Sequence, residues 1–203
     1  MRCAVSVVYE GKVVCRMCGR YCIADDDMEI HAIIAALGYD KQIKTGEIFP
    51  TDIVPAITAG GTPRLMQWGF ARYNGGGKVI NARSETAAEK KMFARSLRER
   101  RCLLPASYYY EWQRNGGAKK QKFAISLPES GTLYMAGVYR EEKGITLPVF
   151  VILTRAAAPS VSCIHDRMPV ILPKSVQTLW LESGDAPNLL TLAIQDVLPV
   201  PAG

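Results

Sequence analysis

The chain holds only two histidines, His31 and His165, in 203 residues. A zinc site built mainly on imidazoles is therefore not expected. It has no apolar stretch approaching the ~20 residues that a membrane-spanning helix needs. Near the N-terminus the run Ala4–Val8 is interrupted by Tyr9, Glu10 and Lys12. That run is shorter than the roughly 7-residue apolar core of a secretory signal, and no small-residue cleavage site follows it. A cytoplasmic protein with no membrane partner is expected. Internal repeats and low-complexity tracts are missing, and so is a second Cys-x-x-Cys. In a reducing compartment the six cysteines are expected as free thiols, ligands or catalysts rather than a disulfide framework.

What is present suits one sizeable globular domain: 48% hydrophobic and 22% charged residues. The net charge of +6 favours a polyanion partner without proving one. The basic run 95–101, RSLRERR, reads equally as a solvated helix face or a phosphate-facing patch. Helices are expected over 25–38, where aspartates cap the start and Ile30, Ile33, Ile34 and Leu37 share a face, and over 85–97, 175–182 and 187–194. Short β-branched and aromatic segments lie at 52–57, 64–71, 78–82, 102–112, 122–127, 132–141 and 147–155, separated by glycine-rich turns. Strands this close together predict an α+β fold. It would be a single domain with a curved, barrel-like, mainly antiparallel β core and peripheral helices.

Three cysteines crowd into CRMCGRYC at 15–22. Cys15 and Cys18 have the spacing of half a zinc site, and Cys22 could add a thiolate, but a fourth ligand is not evident. No metal and no cofactor are expected. A thioredoxin-like pair is weaker still, because no βαβ pattern surrounds the motif. Asn81 and Arg83 fall after a strand, two apart, so both can face one cleft. Glu111 sits inside an aromatic strand, YYYEWQ, at a solvated face or desolvated in a pocket. His165 and Arg167 precede a proline-containing strand start. A thiol, an amide, a carboxylate and an imidazole, with arginines for an anion, make the inventory of a nucleophilic site.

Six segments in series, MCGRY at 17–21, FPTDIVPAI at 49–57, MQWGF at 66–70, NARSET at 81–86, PASYYYEW at 105–112 and HDRMPVIL at 165–172, resemble the SOS response-associated peptidase (SRAP) family. This is a family of abasic-site sensors that crosslink to DNA. The resemblance implies a role in the DNA damage response, and it places the mature N-terminus at Cys18, after removal of Met17. A terminal cysteine offers an amine and a thiol. The amine can form an imine with the C1′ aldehyde of an abasic site, and the thiolate can close a thiazolidine ring, which protects the strand. Both groups are partly competent near neutral pH, with unperturbed pKa values of about 8 and 8.5.

The same resemblance implies that Asn81 orients the amine and the sugar, that Glu111 acts as acid or base, and that His165 assists ring opening and reversal. It implies DNA contacts by Arg20, Arg83 and Arg167 at phosphates and by Trp68 stacked on a base. Thr154 is a further contact, and Pro50 lines the channel. The partner would be single-stranded DNA carrying an abasic site, bound by a monomer. With residues 1–16 attached, Cys18 has no free amine. Met17 is then the true initiator, or the extension is removed by self-cleavage at Cys18 as a thiol autopeptidase, or it persists and leaves only DNA binding or thiol chemistry. The first is favoured, giving a non-native or removed extension at 1–16 and a domain over 17–203. Elsewhere, Cys22, Cys102 and Cys163 are expected as buried small hydrophobes, Trp112 and Trp180 as core, His31 on a solvated helix side, and the tail 196–203 as uninformative.

Overall fold

The structure is a computed structural model that describes residues 19–38, 43–73, 75–113, 120–129 and 131–202. In chain order the elements are β1 (Tyr21–Ile23), α1 (Met28–Ala36), β2 (Gly46–Ile48), β3 (Ile53–Thr58), β4 (Thr62–Trp68), β5 (Phe70–Ala71), β6 (Lys78–Val79) and β7 (Asn81–Arg83). Two short helices follow, α2 (Ser84–Ala87) and α3 (Ala94–Glu99). Then come β8 (Arg101–Ala106), β9 (Tyr108–Gln113), β10 (Gln121–Ser126), β11 (Leu133–Arg140), β12 (Val149–Ala156) and β13 (Arg167–Pro169). The chain closes with α4 (Lys174–Glu182), α5 (Ala186–Leu189) and β14 (Leu198–Ala202).

The expected α+β domain with a curled, mainly antiparallel β core is what the chain forms. In the larger sheet the order β11-β8-β3-β4-β12 is joined end to end by β11–β12 pairing, so the sheet closes on itself. Strand β12 is the hub. It pairs antiparallel with β11 and β13 and parallel with β4 and β7. Its residues alternate: Phe150 and Ile152 enter the interior core, while Val149, Val151 and Leu153 join an outer core with Phe93, Leu97 and Trp180 from the helices. Burial on both faces explains why this strand reads as an unbroken apolar run. The second sheet, β14-β10-β9-β1-β2, adds Tyr21, Ile23, Ile48, Tyr109 and Ile125 to the interior core.

Three expected elements differ. The helix over 85–97 is split into α2 and α3, because Ala87 and Phe93 are both buried but six residues apart. That separation would put them about 120° apart on a continuous helix, on different faces. The strand over 102–112 breaks at Ser107, where the chain leaves the barrel for the second sheet. Ser107 donates its N–H to the Cys22 carbonyl at 2.9 Å and its hydroxyl to Asp27 Oδ2 at 2.8 Å, and its Oγ accepts from Ala24 N at 2.9 Å. Asp27 in turn caps α1 through Ile30 N. The tail forms the edge strand β14 on β10. Pro199 and Pro201 are two apart, so their missing N–H groups fall on one side, which an edge strand tolerates.

Gly137 on β11 lies between Cys102 of β8 and Ile152 of β12. A Cβ there would meet Leu104 Cδ2 at 2.3 Å, Cys102 Sγ at 3.0 Å and the Val151 carbonyl at 3.1 Å. Gly137→Ala is expected to lower stability by about 1–3 kcal/mol through overpacking, read from chemical denaturation. An unchanged midpoint would show that the strands spread at no cost.

Candidate functional site

The site is assembled at one end of the two sheets. Strands β7 and β12 run parallel, pairing Asn81 with Ile152 and Arg83 with Thr154, so their C-terminal ends lie side by side. The loop from Ala156 to Arg167 leaves this same end and carries His165. Strand β9 arrives from the other sheet: Gln113 Nε2 donates to the Cys163 carbonyl in that loop at 3.0 Å. Strand β1 enters here too, because Tyr110 N donates to the Arg20 carbonyl at 2.9 Å. Strand ends, one loop and the beginning of the described chain thus meet at one rim.

Alternation sets what faces inward. Asn81 pairs with interior Ile152, whereas Ala82 belongs to the outer core. Glu111 shares the inner face of β9 with Tyr109, and the neighbours Tyr108, Tyr110 and Trp112 take the other face. Glu111 and Asn81 are buried, at 4% and 7% exposure. His165 Nδ1 accepts from Arg167 N at 3.0 Å, an arrangement that places the neutral ring's proton on Nε2. The exposed Asp166 carboxylate also lies 3.0 Å from Nδ1 and can be bonded only when that nitrogen carries the proton. The loop thereby offers the imidazole two alternative proton positions.

The arginines are held differently. Arg20 is packed between the Phe49 and Trp112 rings, 4.2 and 5.0 Å from their centroids, with Glu47 at 3.5 Å. Arg83 is exposed. Arg167 makes a bidentate pair with Glu85 at 2.6 and 2.7 Å and donates to the Thr154 carbonyl at 2.7 Å. The guanidinium beside Glu85 lowers that carboxyl to a pKa of about 2, so it is ionised throughout the neutral range.

Several expected residues are placed otherwise. Trp68 is wholly buried, its ring stacked on Phe150 at 6.1 Å and its Nε1–H donated to the Ile80 carbonyl, so it has no face open to a base. Its backbone instead clamps the turn Phe49–Asp52: Thr51 N donates to the Trp68 carbonyl and Trp68 N to the Asp52 carbonyl. Within that turn Asp52 Oδ2 accepts from Phe49 N, and Thr51 takes a φ of 79°, which is unusual for a β-branched residue. The clamp presents half-buried Pro50 and exposed Phe49 at the rim. Thr154 is also fully buried and touches Arg167, so any effect on DNA runs through that arginine. Trp112 is half-exposed beside Arg20 and not core, whereas Trp180 is core. Cys163 is exposed, while Cys22 and Cys102 are buried. Burial pushes both of those thiols up, away from nucleophilic character. Cys15 and Cys18 lie outside the described residues. Sequence reasoning missed Glu85 as the partner of Arg167 and Phe49 as the partner of Arg20. A carboxylate inside NARSET was the available signal for the first.

The model for the family described as SOS response associated peptidase (SRAP) matches residues 17–198. The chain belongs to the SRAP family. Its sequence is similar to the abasic site processing protein YoqW of Bacillus subtilis (strain 168), at 34% identity over 197 residues covering 88% of this chain and 87% of the relative. The abasic site processing protein YedK of Escherichia coli (strain K12) is 34% identical over 105 residues, 51% of this chain and 47% of that one. Among solved structures, a protein from Bacteroides thetaiotaomicron matches with a TM-score of 0.77 at 20% identity, covering 92% of both chains. A protein from Bordetella bronchiseptica matches with a TM-score of 0.76 at 20% identity, covering 92% of this chain and all of that one. These structures share the SRAP fold. No described helix is long and apolar enough to cross a membrane.

Proposed function

We propose that this SRAP-family chain captures abasic sites in single-stranded DNA as a covalent thiazolidine on Cys18, once Cys18 is the N-terminal residue. The family supports interaction with abasic DNA. What supports the finer chemistry is that β9, which carries buried Glu111, is hydrogen-bonded both to Arg20, two residues along the chain from Cys18, and to the loop that follows β12, the strand paired with Asn81. The amine of Cys18 adds to the C1′ aldehyde and loses water to give an imine. The thiolate then adds to the imine carbon, and the nitrogen takes up a proton. Glu111 moves the protons of addition and dehydration, Asn81 orients amine and sugar, and His165 serves ring opening and reversal. The exposed Arg83 binds backbone phosphates, as do Arg20 and Arg167. Aromatic rings beside basic side chains suit a single strand.

The test is intact-mass spectrometry of protein beginning at Cys18, mixed with abasic or undamaged single-stranded DNA. A heat-stable adduct of protein plus DNA minus one water is expected with abasic DNA alone. Its absence would end the proposal. The full 203-residue chain in the same assay addresses the second reading, a thiol autopeptidase that removes residues 1–16 using Cys18. Spontaneous loss of that segment, abolished by Cys18→Ala, would favour it.

A further inference from the structure

The guanidinium of Arg167 is already occupied. Glu85, from the first turn of α2, takes Nη1 and Nη2 together at 2.6 and 2.7 Å. The Thr154 carbonyl takes a second bond from Nη2 at 2.7 Å, and Nε is buried without a partner among the described residues. The edge of Arg167 that would grip an anion in a fork is thus closed by a carboxylate. Arg167 itself is mostly covered, at 11% side-chain exposure, while Glu85 is half exposed at 49%. The carboxylate forms the outer half of the pair and can swing into solvent. Arg167 is anchored from behind by Thr154 and through its backbone by His165.

Carboxylate and phosphate present the same bidentate target to a guanidinium. We propose that Glu85 is an intramolecular stand-in for a DNA phosphate, so that loading the strand exchanges carboxylate for phosphate on Arg167. This rests on the reading of Arg167 as a phosphate contact. The exchange makes the pair electrically neutral toward DNA until a strand is seated. It weakens binding to single strands in general and leaves the covalent step to select the abasic site. Glu85 is a specificity-determining residue that need not touch the sugar.

The experiment is a double-mutant cycle on reversible binding of an undamaged single-stranded oligonucleotide, titrated over a range of salt concentrations. Glu85→Gln is expected to tighten binding by about two- to fivefold, roughly what a partly exposed ion pair is worth. The salt slope is expected to steepen by up to about 0.7, because no displaced carboxylate takes up a cation when Arg167 meets the phosphate. In the Arg167→Gln background the same change is expected to do nothing. A gain of equal size in that background would mean that only long-range charge is at work and would overturn the proposal. No gain from Glu85→Gln in a folded protein would overturn it also. If Arg167→Gln itself leaves affinity and slope unchanged, the phosphate reading of Arg167 has failed and the exchange with it. Glu85→Asp, one methylene shorter, guards against misfolding: it is expected to show a smaller gain with the same dependence on Arg167.

Discussion

Glu111→Gln, in protein beginning at Cys18, is expected to slow adduct formation on abasic single-stranded DNA by about 10²–10⁴-fold, the usual worth of a positioned acid or base. The side chain is buried at 4% exposure on the inner face of β9, in register with Phe123 of β10. A glutamine fits the same space and keeps an acceptor, so the strand and its neighbours should be undisturbed. What is lost is the ability to take a proton from the attacking amine and return one to the departing water. The effect should therefore fall on the single-turnover rate and not on reversible affinity, which the proposal assigns to the arginines. Quenched time courses on denaturing gels give the rate, and anisotropy with undamaged DNA gives the affinity. A rate within threefold of the parent would remove Glu111 from the chemistry. A matched loss of affinity would reassign it to binding.

Arg101→Met is expected to destabilise the fold by about 3 kcal/mol, because a buried charged donor is replaced and its acceptors are stranded. Arg101 is 7% exposed and donates to the carbonyls of Leu97 and Arg98 at 2.9 Å and to those of Trp180 and Ser183. One guanidinium thereby satisfies the C-terminal ends of α3 and α4 together, where orphan carbonyls and the negative end of the dipole favour a cation. Burial lowers the pKa of this arginine from its ordinary value, but the group stays charged. Urea denaturation should show a lower midpoint with an unchanged slope. A loss under 1 kcal/mol would show that water replaces the guanidinium at both helix ends. Arg101→Lys, a single ammonium with no fork, should recover only part of the loss.

The basic run 95–101 thus divides in a way its composition could not reveal. Arg95 pairs with Glu99 on the surface at 2.8 Å, and Arg101 is a buried clamp. Strand positions were legible because alternation and turn glycines are local signals, and the barrel followed from their density. The corner at Ser107 was not legible. A lone serine in an apolar run looks like a solvent-facing strand position, and its partners Ala24 and Asp27 lie 83 and 80 residues away in sequence. The edge strand β14 was hidden by its prolines, which argue against a strand until the strand is known to be outermost. At the site, β7 and β12 carry Asn81, Arg83 and Thr154 side by side, and hydrogen bonds tie β9 to the His165 loop and to Arg20. The resemblance implied a stacking role for Trp68, but its ring is wholly buried. Its burial follows from the interior face of β4, which it shares with Met66. Trp112 misled in the opposite sense, since the sheet face it occupies is covered by Arg20 and Lys122 and not by a helix.

The corner at Ser107 also limits how the polypeptide can change length. Its three hydrogen bonds fasten the start of β9 to the end of β1 and to the cap of α1, so nothing between Ala106 and Tyr108 can slide. Because side chains alternate, one inserted residue there would present Tyr110 to the interior and turn Glu111 out to water. Insertions are accordingly expected to be tolerated better in the glycine-rich loops than between the barrel and this carboxylate.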